Sequence, residues 1–155
     1  MRIGLVADTH DEVVPWDQVH AKIADAFSGV ELILHCGDLT TLTVLDRLEE
    51  IAPVLAVRSP GDPPPAPSRL LDGPRVVDVG GTSIGLVNTL EGHPEELFDR
   101  SVAVVVHGGT HDGRIESLDG ILLVNPGSPT LANDVSVGIL EVGENPRAAL
   151  VHLAP

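Results

Sequence analysis

Short apolar, β-branched runs alternate with segments of helical period through the first third of the chain. That alternation constrains the fold more than any other feature. Arg2 to Ala7 is apolar beyond its first residue, as expected of a strand buried on both faces. Pro15-Trp16 opens a helix running to about Phe27, with proline near its first turn and Gly29 just past its end. Val19, Ile23, Ala26 and Phe27 lie on one face of it. Glu31 to Cys36 is a second strand. Thr40 or Thr41 caps a second helix with Leu42, Leu45, Leu48 and Ile51 at helical spacing, and Pro53 to Val57 is a third strand. A β-α-β-α-β order implies parallel strands and right-handed crossovers.

The pattern then changes. Asp62-Pro63-Pro64-Pro65-Ala66-Pro67 is a stiff, extended surface loop, not a domain linker, because the strands after it are too short to form a core alone. Arg75 to Val79 and Ser83 to Val87 are strands joined at Gly80-Gly81. Pro94 to Phe98 is a short helix and Val102 to Val106 another buried strand. Ile121 to Val124, Val135 to Val142 and Ala148 to Leu153 are the last strands, with turn signals at Asp119-Gly120 and Gly143-Glu144-Asn145. Parallel units followed by hairpins predict two mixed sheets packed face to face with helices outside, in one domain over residues 1–155.

The formal charge of −14 repels nucleic-acid phosphates, and only 2% of residues are aromatic, so nucleic-acid binding is not expected. Lys22 is the only lysine, which excludes a phosphate-loop motif. No run of 18 apolar residues occurs, so no membrane association is expected. The N-terminus enters a strand at once and does not resemble a signal peptide. The single cysteine, Cys36, fits a reducing cytoplasm.

Four segments carry the chemistry: Asp8-Thr9-His10, Gly37-Asp38, Gly108-Gly109-Thr110-His111 and Asn125-Pro126-Gly127-Ser128. The first three each follow a short apolar run. Their side chains therefore lie at the carboxyl ends of strands, where open α/β sheets place their sites. Asp and His are ligands for divalent metals.

The order of these segments resembles that of the calcineurin-like metallophosphoesterases, and especially their small phosphodiesterase subfamily, which includes the phosphoesterase-like subunit of the retromer complex. Ile3 to His10, Leu34 to Leu39 and Val124 to Ser128 are close to the family pattern, and the resemblance covers essentially the whole chain. It implies an α/β fold, a four-layer α/β/β/α sandwich of two mixed sheets. It also implies that one metal is held by Asp8, His10, Asp38 and His111. The family's second metal uses the bridging Asp, an Asn, a lone His and the first His of a G-H-x-H motif. Here Pro60, Asn88 and Gly109 stand at the last three of those positions.

All the losses fall on one metal. The expectation is therefore one divalent ion per chain, Mn²⁺ or Zn²⁺, with weak or specialised hydrolysis of a phosphoester small molecule. The alternative is a catalytically inactive scaffold for a protein partner. A homo-oligomer is compatible with either.

Asp38, as the bridging carboxylate, and His107 are the expected catalytic residues. His107 has the strand parity of residues 109 and 111 and would then face the site. His93, Asn88, Asp62 and Arg58 are further candidates to replace lost ligands. If the backbone is unchanged, Pro60→Asn, Asn88→His and Gly109→His together should restore a second ion. His35 is expected as a packed, hydrogen-bonded histidine and Cys36 as a small core residue. Trp16 should staple the first helix, and Asn125 to Ser128 should form a turn that buttresses the site.

Overall fold

The computed structural model describes residues 1–66 and 69–153. Eleven strands are found among them: β1 (Arg2–Val6), β2 (Leu32–His35), β3 (Val54–Val57), β4 (Leu70–Leu71), β5 (Arg75–Val79), β6 (Thr82–Thr89), β7 (Val104–Gly108), β8 (Arg114–Leu118), β9 (Ile121–Asn125), β10 (Ser136–Glu141) and β11 (Arg147–His152). The helices are α1 (His20–Ala26), α2 (Leu42–Glu49) and α3 (Pro94–Leu97).

The strands form two mixed sheets, in the orders β11-β10-β1-β2-β3-β4 and β5-β6-β7-β9-β8. β1, β2, β3 and β4 run parallel, as the alternation of strand and helix requires, and β10 joins β1 antiparallel. In the second sheet β6, β7 and β9 are parallel, and the hairpin partners β5 and β8 form its two edges.

Strand alternation sorts the apolar residues into three cores. Ile3, Leu5, Leu34, Ile84, Val104, Val106 and Val124 interlock between the sheets. Ile23 of α1, Phe27 at its C-cap, and Leu45 and Leu48 of α2 cover the other face of the first sheet, over Val6, Ile33 and Ala56. The outer face of the second sheet carries Val105, Ile121 and Leu123 under Phe98. Gly85 leaves room for that ring, because a Cβ there would lie 2.5 Å from Phe98 Cζ. The result is the predicted α/β/β/α order, with the fourth layer reduced to the single turn of α3 and Phe98 behind it.

Several local expectations needed revision. The helix expected from Pro15 to Phe27 is divided into a 3₁₀ turn over Trp16–Gln18 and α1, with Val19 at φ −116° between them. Trp16 does staple this segment. It is buried, and its indole N–H donates to His20 Nδ1 at 2.8 Å. Thr41 sits at the N-cap of α2, but its hydroxyl donates to Asp11 Oδ2 instead of capping the helix. β4 and β8 were not expected. β4 is only two residues long. β8 is an edge strand with every residue exposed, so it has no apolar face to announce it. Pro67 of the proline-rich loop lies outside the described residues.

A candidate metal centre

Three strand ends meet at one side of the sandwich. The loop after β1 supplies Asp8 and His10, the loop after β2 supplies Asp38, and the loop after β7 supplies His111. Backbone hydrogen bonds join the first two loops, with Asp8 N donating to Gly37 O at 2.9 Å and His10 N to Asp38 O at 3.0 Å. One ligand atom each from Asp8, His10 and His111 lies within 4.8 Å of the others, the spacing of groups that can close on one ion. The His10 and His111 rings meet edge to face with centroids 5.1 Å apart. Asp38 Oδ2 is 4.0 Å from His10 Nε2, at the rim of this cluster.

The backbone is strained at these residues. Among the described residues six non-glycine residues have positive φ: Asp8 (53°), His10 (38°), Asp38 (56°), Thr40 (74°), His111 (62°) and Asp119. Asp119 belongs to the β8–β9 turn. Four of the other five are the residues expected to hold a metal, and such left-handed residues cost of order 1–3 kcal/mol each unless their surroundings impose them.

The cluster contains polar atoms that a cation would satisfy. Four buried side-chain polar atoms among the described residues lack a hydrogen-bond partner, and Asp8 Oδ1 and His10 Nε2 are two of them. An orphaned carboxylate oxygen beside an orphaned imidazole nitrogen is costly unless a positive centre sits between them. Burial pushes the Asp8 carboxyl up to about 7. The Gly109 N–H opposes that rise, while the neighbouring Asp38 carboxylate adds to it. Burial also resists ionisation of Asp38, but hydrogen bonds led by that from Ser59 outweigh it and hold its carboxyl below the usual range. The two carboxyls are thus pushed in opposite directions, and a cation between them would favour the ionised form of Asp8.

The surrounding shell is densely bonded. Asp62 is buried, and its Oδ2 accepts from the N–H groups of Asp38 and Ser59 while Oδ1 accepts from those of Leu39 and Thr40, all at 2.9–3.0 Å. Ser59 Oγ donates to Asp38 Oδ1 at 2.6 Å. His35 is fully buried between the two loops. Gly37 N–H donates to its Nδ1, so its proton sits on Nε2 and points at Thr9 Oγ1, 3.1 Å away. Asn125 to Ser128 does buttress the site: Ser128 Oγ donates to Asp8 O at 2.7 Å.

Of the candidate replacements for a second metal, Asn88 and Asp62 border Asp38, whereas His107, His93 and Arg58 are directed elsewhere. In β7, Val104 and Val106 face between the sheets and a Gly108 Cβ would lie 3.3 Å from the Asp8 carboxylate, so His107 falls on the opposite face with Val105. Strand parity does not carry past Gly108, because Gly109 turns the chain at φ +89°. His93 caps α3 and reaches Asp119 at the far end of the second sheet. Arg58 is held by Pro63 O, Asp62 O and Asp72. Asn88 Nδ2 donates to Cys36 O at 2.7 Å, and Pro60 is exposed. Sequence reasoning missed the weight of Ser59 and Glu12, for which no motif existed.

A cleft of about 800 Å³ opens beside His111, walled also by Asp112, Thr130, Asn133 and Asp134, with no Lys or Arg in its lining. No helix among the described residues is long and apolar enough to cross a membrane.

Residues 1–145 match the profile of the calcineurin-like phosphoesterase superfamily domain. A probable metallophosphoesterase of Methanothermobacter thermautotrophicus is 33% identical over 165 residues, covering 97% of this chain and 92% of its own. An archaeal phosphodiesterase of solved structure superposes with a TM-score of 0.72 at 23% identity, over 97% of this chain and 100% of that one. Vps29 of Entamoeba histolytica, complexed with zinc, superposes with a TM-score of 0.70 at 20% identity, over 98% and 99%. At these identities the two structures speak to the fold alone.

Proposed function

This chain belongs to the calcineurin-like phosphoesterase superfamily, and on that premise we propose that it is a metal-dependent phosphodiesterase of low turnover that binds one divalent ion, Mn²⁺ or Zn²⁺, through Asp8, His10, Asp38 and His111. The observation that carries the reading is the pair of buried, unpartnered atoms, Asp8 Oδ1 and His10 Nε2, inside a cluster whose residues are held at left-handed φ. A bound ion supplies Lewis acidity and lowers the pKa of a water on it.

The chain's own residues do the rest. Ser59 ties down Asp38 Oδ1 and leaves Oδ2 toward the cluster. The Gly109 N–H holds Asp8 Oδ2 and leaves Oδ1 free. Both carboxylates thus present one oxygen to a single ion, which supports a mononuclear centre. The cleft beside His111 gives the ester arm of a substrate a place to lie. Its lack of Lys and Arg, with Asp112 and Asp134 in its wall, supports a singly charged diester over a doubly charged monoester. Without a second ion to clamp the leaving oxygen, turnover should be orders of magnitude below that of a two-metal enzyme.

The test is metal analysis after loading, followed by assay on bis(p-nitrophenyl) phosphate and p-nitrophenyl phosphate. About one equivalent of metal, slow hydrolysis favouring the diester, and loss of both metal and activity in Asp38→Ala are expected. Two tightly held equivalents would overturn the mononuclear reading. One equivalent with no hydrolysis of either ester would leave the fold as a metal-binding scaffold for a protein partner.

A further inference from the structure

Glu12 lies two residues beyond His10, on the open side of the centre, and belongs to no motif in the chain. Its Oε1 is 3.1 Å from His10 Nδ1. Its Oε2 accepts from the Thr40 hydroxyl, across the gap between the β1 and β2 loops. Thr40 N–H is in turn held by Asp62 Oδ1 at 3.0 Å. His10 is therefore gripped on one ring nitrogen, while the other, Nε2, is the buried atom without a partner.

Thr40 supplies an independent observation. It is β-branched and sits at φ +74°, a conformation that glycine or asparagine adopts far more cheaply. Its N–H bond to Asp62 would survive substitution by either. The hydroxyl bonded to Glu12 gives threonine a role at this strained position that glycine could not fill.

We propose that Glu12, braced by Thr40, is a positioning residue that fixes the tautomer and ring orientation of His10, so that Nε2 presents its lone pair to the metal. A carboxylate accepting from Nδ1–H places the proton there and leaves Nε2 bare. Neither residue touches the ion. The inference rests on the one-metal reading above, and it adds a Thr40–Glu12–His10 chain that joins the two loops across the site.

The experiment uses Co²⁺ as a visible probe, read by its absorption bands, together with ¹⁵N NMR of the metal-free protein for the His10 tautomer. Glu12→Ala should weaken Co²⁺ binding by roughly 10–100-fold, the usual cost of losing such a partner, and should release His10 from a pure Nδ1–H form. Glu12→Gln, which keeps an acceptor, should fall between Glu12→Ala and wild type. Thr40→Gly relieves the backbone while removing the hydroxyl, so it should unfold at equal or higher denaturant and yet bind Co²⁺ more weakly. Thr40→Ser, which keeps the hydroxyl, should bind almost as wild type does. A merely structural role would lower stability and leave affinity alone. Wild-type Co²⁺ affinity in both Glu12→Ala and Thr40→Gly would overturn this inference and spare the metal reading. No Co²⁺ uptake by the wild type would overturn both.

Discussion

The backbone N–H of Gly109 donates to Asp8 Oδ2 at 2.8 Å. The position at which the family pattern carries a ligand for a second metal instead anchors Asp8, which the proposed reading assigns to the first. That contact needs a bare backbone at residue 109. Its φ is +89°, and a Cβ there would lie 2.8 Å from Thr89 Oγ1.

The first prediction follows from this geometry. Pro60→Asn, Asn88→His and Gly109→His together will not restore a second ion, contrary to what the sequence alone suggests. Residue 109 resists any side chain, residue 60 points into solvent, and residue 88 is spent on Cys36 O. Metal analysis of the folded triple variant should still give one equivalent or fewer. Uptake of two would show that these loops relax more easily than their hydrogen bonds imply.

Asp62 should behave as a structural anchor and not as a ligand. Its carboxylate accepts from four backbone N–H groups, three of them on consecutive residues of the Asp38 loop. Asp62→Ala strands these donors, so it should cost roughly 3 kcal/mol or more in a urea titration and weaken metal uptake as the Asp38 loop loosens. Full stability with metal binding lost would instead place Asp62 on the ion.

Ser128 offers a gentler perturbation of the same frame. Its hydroxyl donates to Asp8 O and accepts from Leu131 N at 2.8 Å. Ser128→Ala should cost about 1–3 kcal/mol, because the Asp8 carbonyl is buried and water cannot easily replace the lost donor. The measurement is a denaturation curve beside a Co²⁺ titration. Both should shift, since Asp8 is the residue displaced.

His35 makes stability depend on pH. Burial depresses its pKa from an ordinary 6.5 to about 4, with Asp62 and Asp38 pulling it back up and His10 lowering it further. Between those values the unfolded chain takes up a proton that the native imidazole refuses. The contribution is therefore complete above pH 6.5 and is lost as pH falls toward 4, a change on the order of 3 kcal/mol. Urea midpoints measured from pH 8 to 4 should fall more steeply for the wild type than for His35→Gln. Parallel curves would mean that the buried imidazole is not held neutral.

The amino-acid sequence by itself determined the parallel β-α-β-α-β core, because hydrophobic period and strand-end polarity are local properties. It also singled out Asp8, His10, Asp38 and His111 as expected ligands, through an order of motifs that resembles the metallophosphoesterase pattern. It could not determine which hydrogen-bonding groups were already spoken for. Asp62, Asn88 and His93 look like spare ligands in the sequence, yet each is committed to partners contributed by another loop or strand end, and Arg58 is tied to the carbonyls of its own loop and to Asp72. His107 has the right parity on paper, but the left-handed Gly109 ends the strand before parity can reach the site. Edge strand β8 carries no buried face and so left no pattern. These outcomes depend on long-range pairing and on φ angles imposed by packing, and only the folded chain decides them.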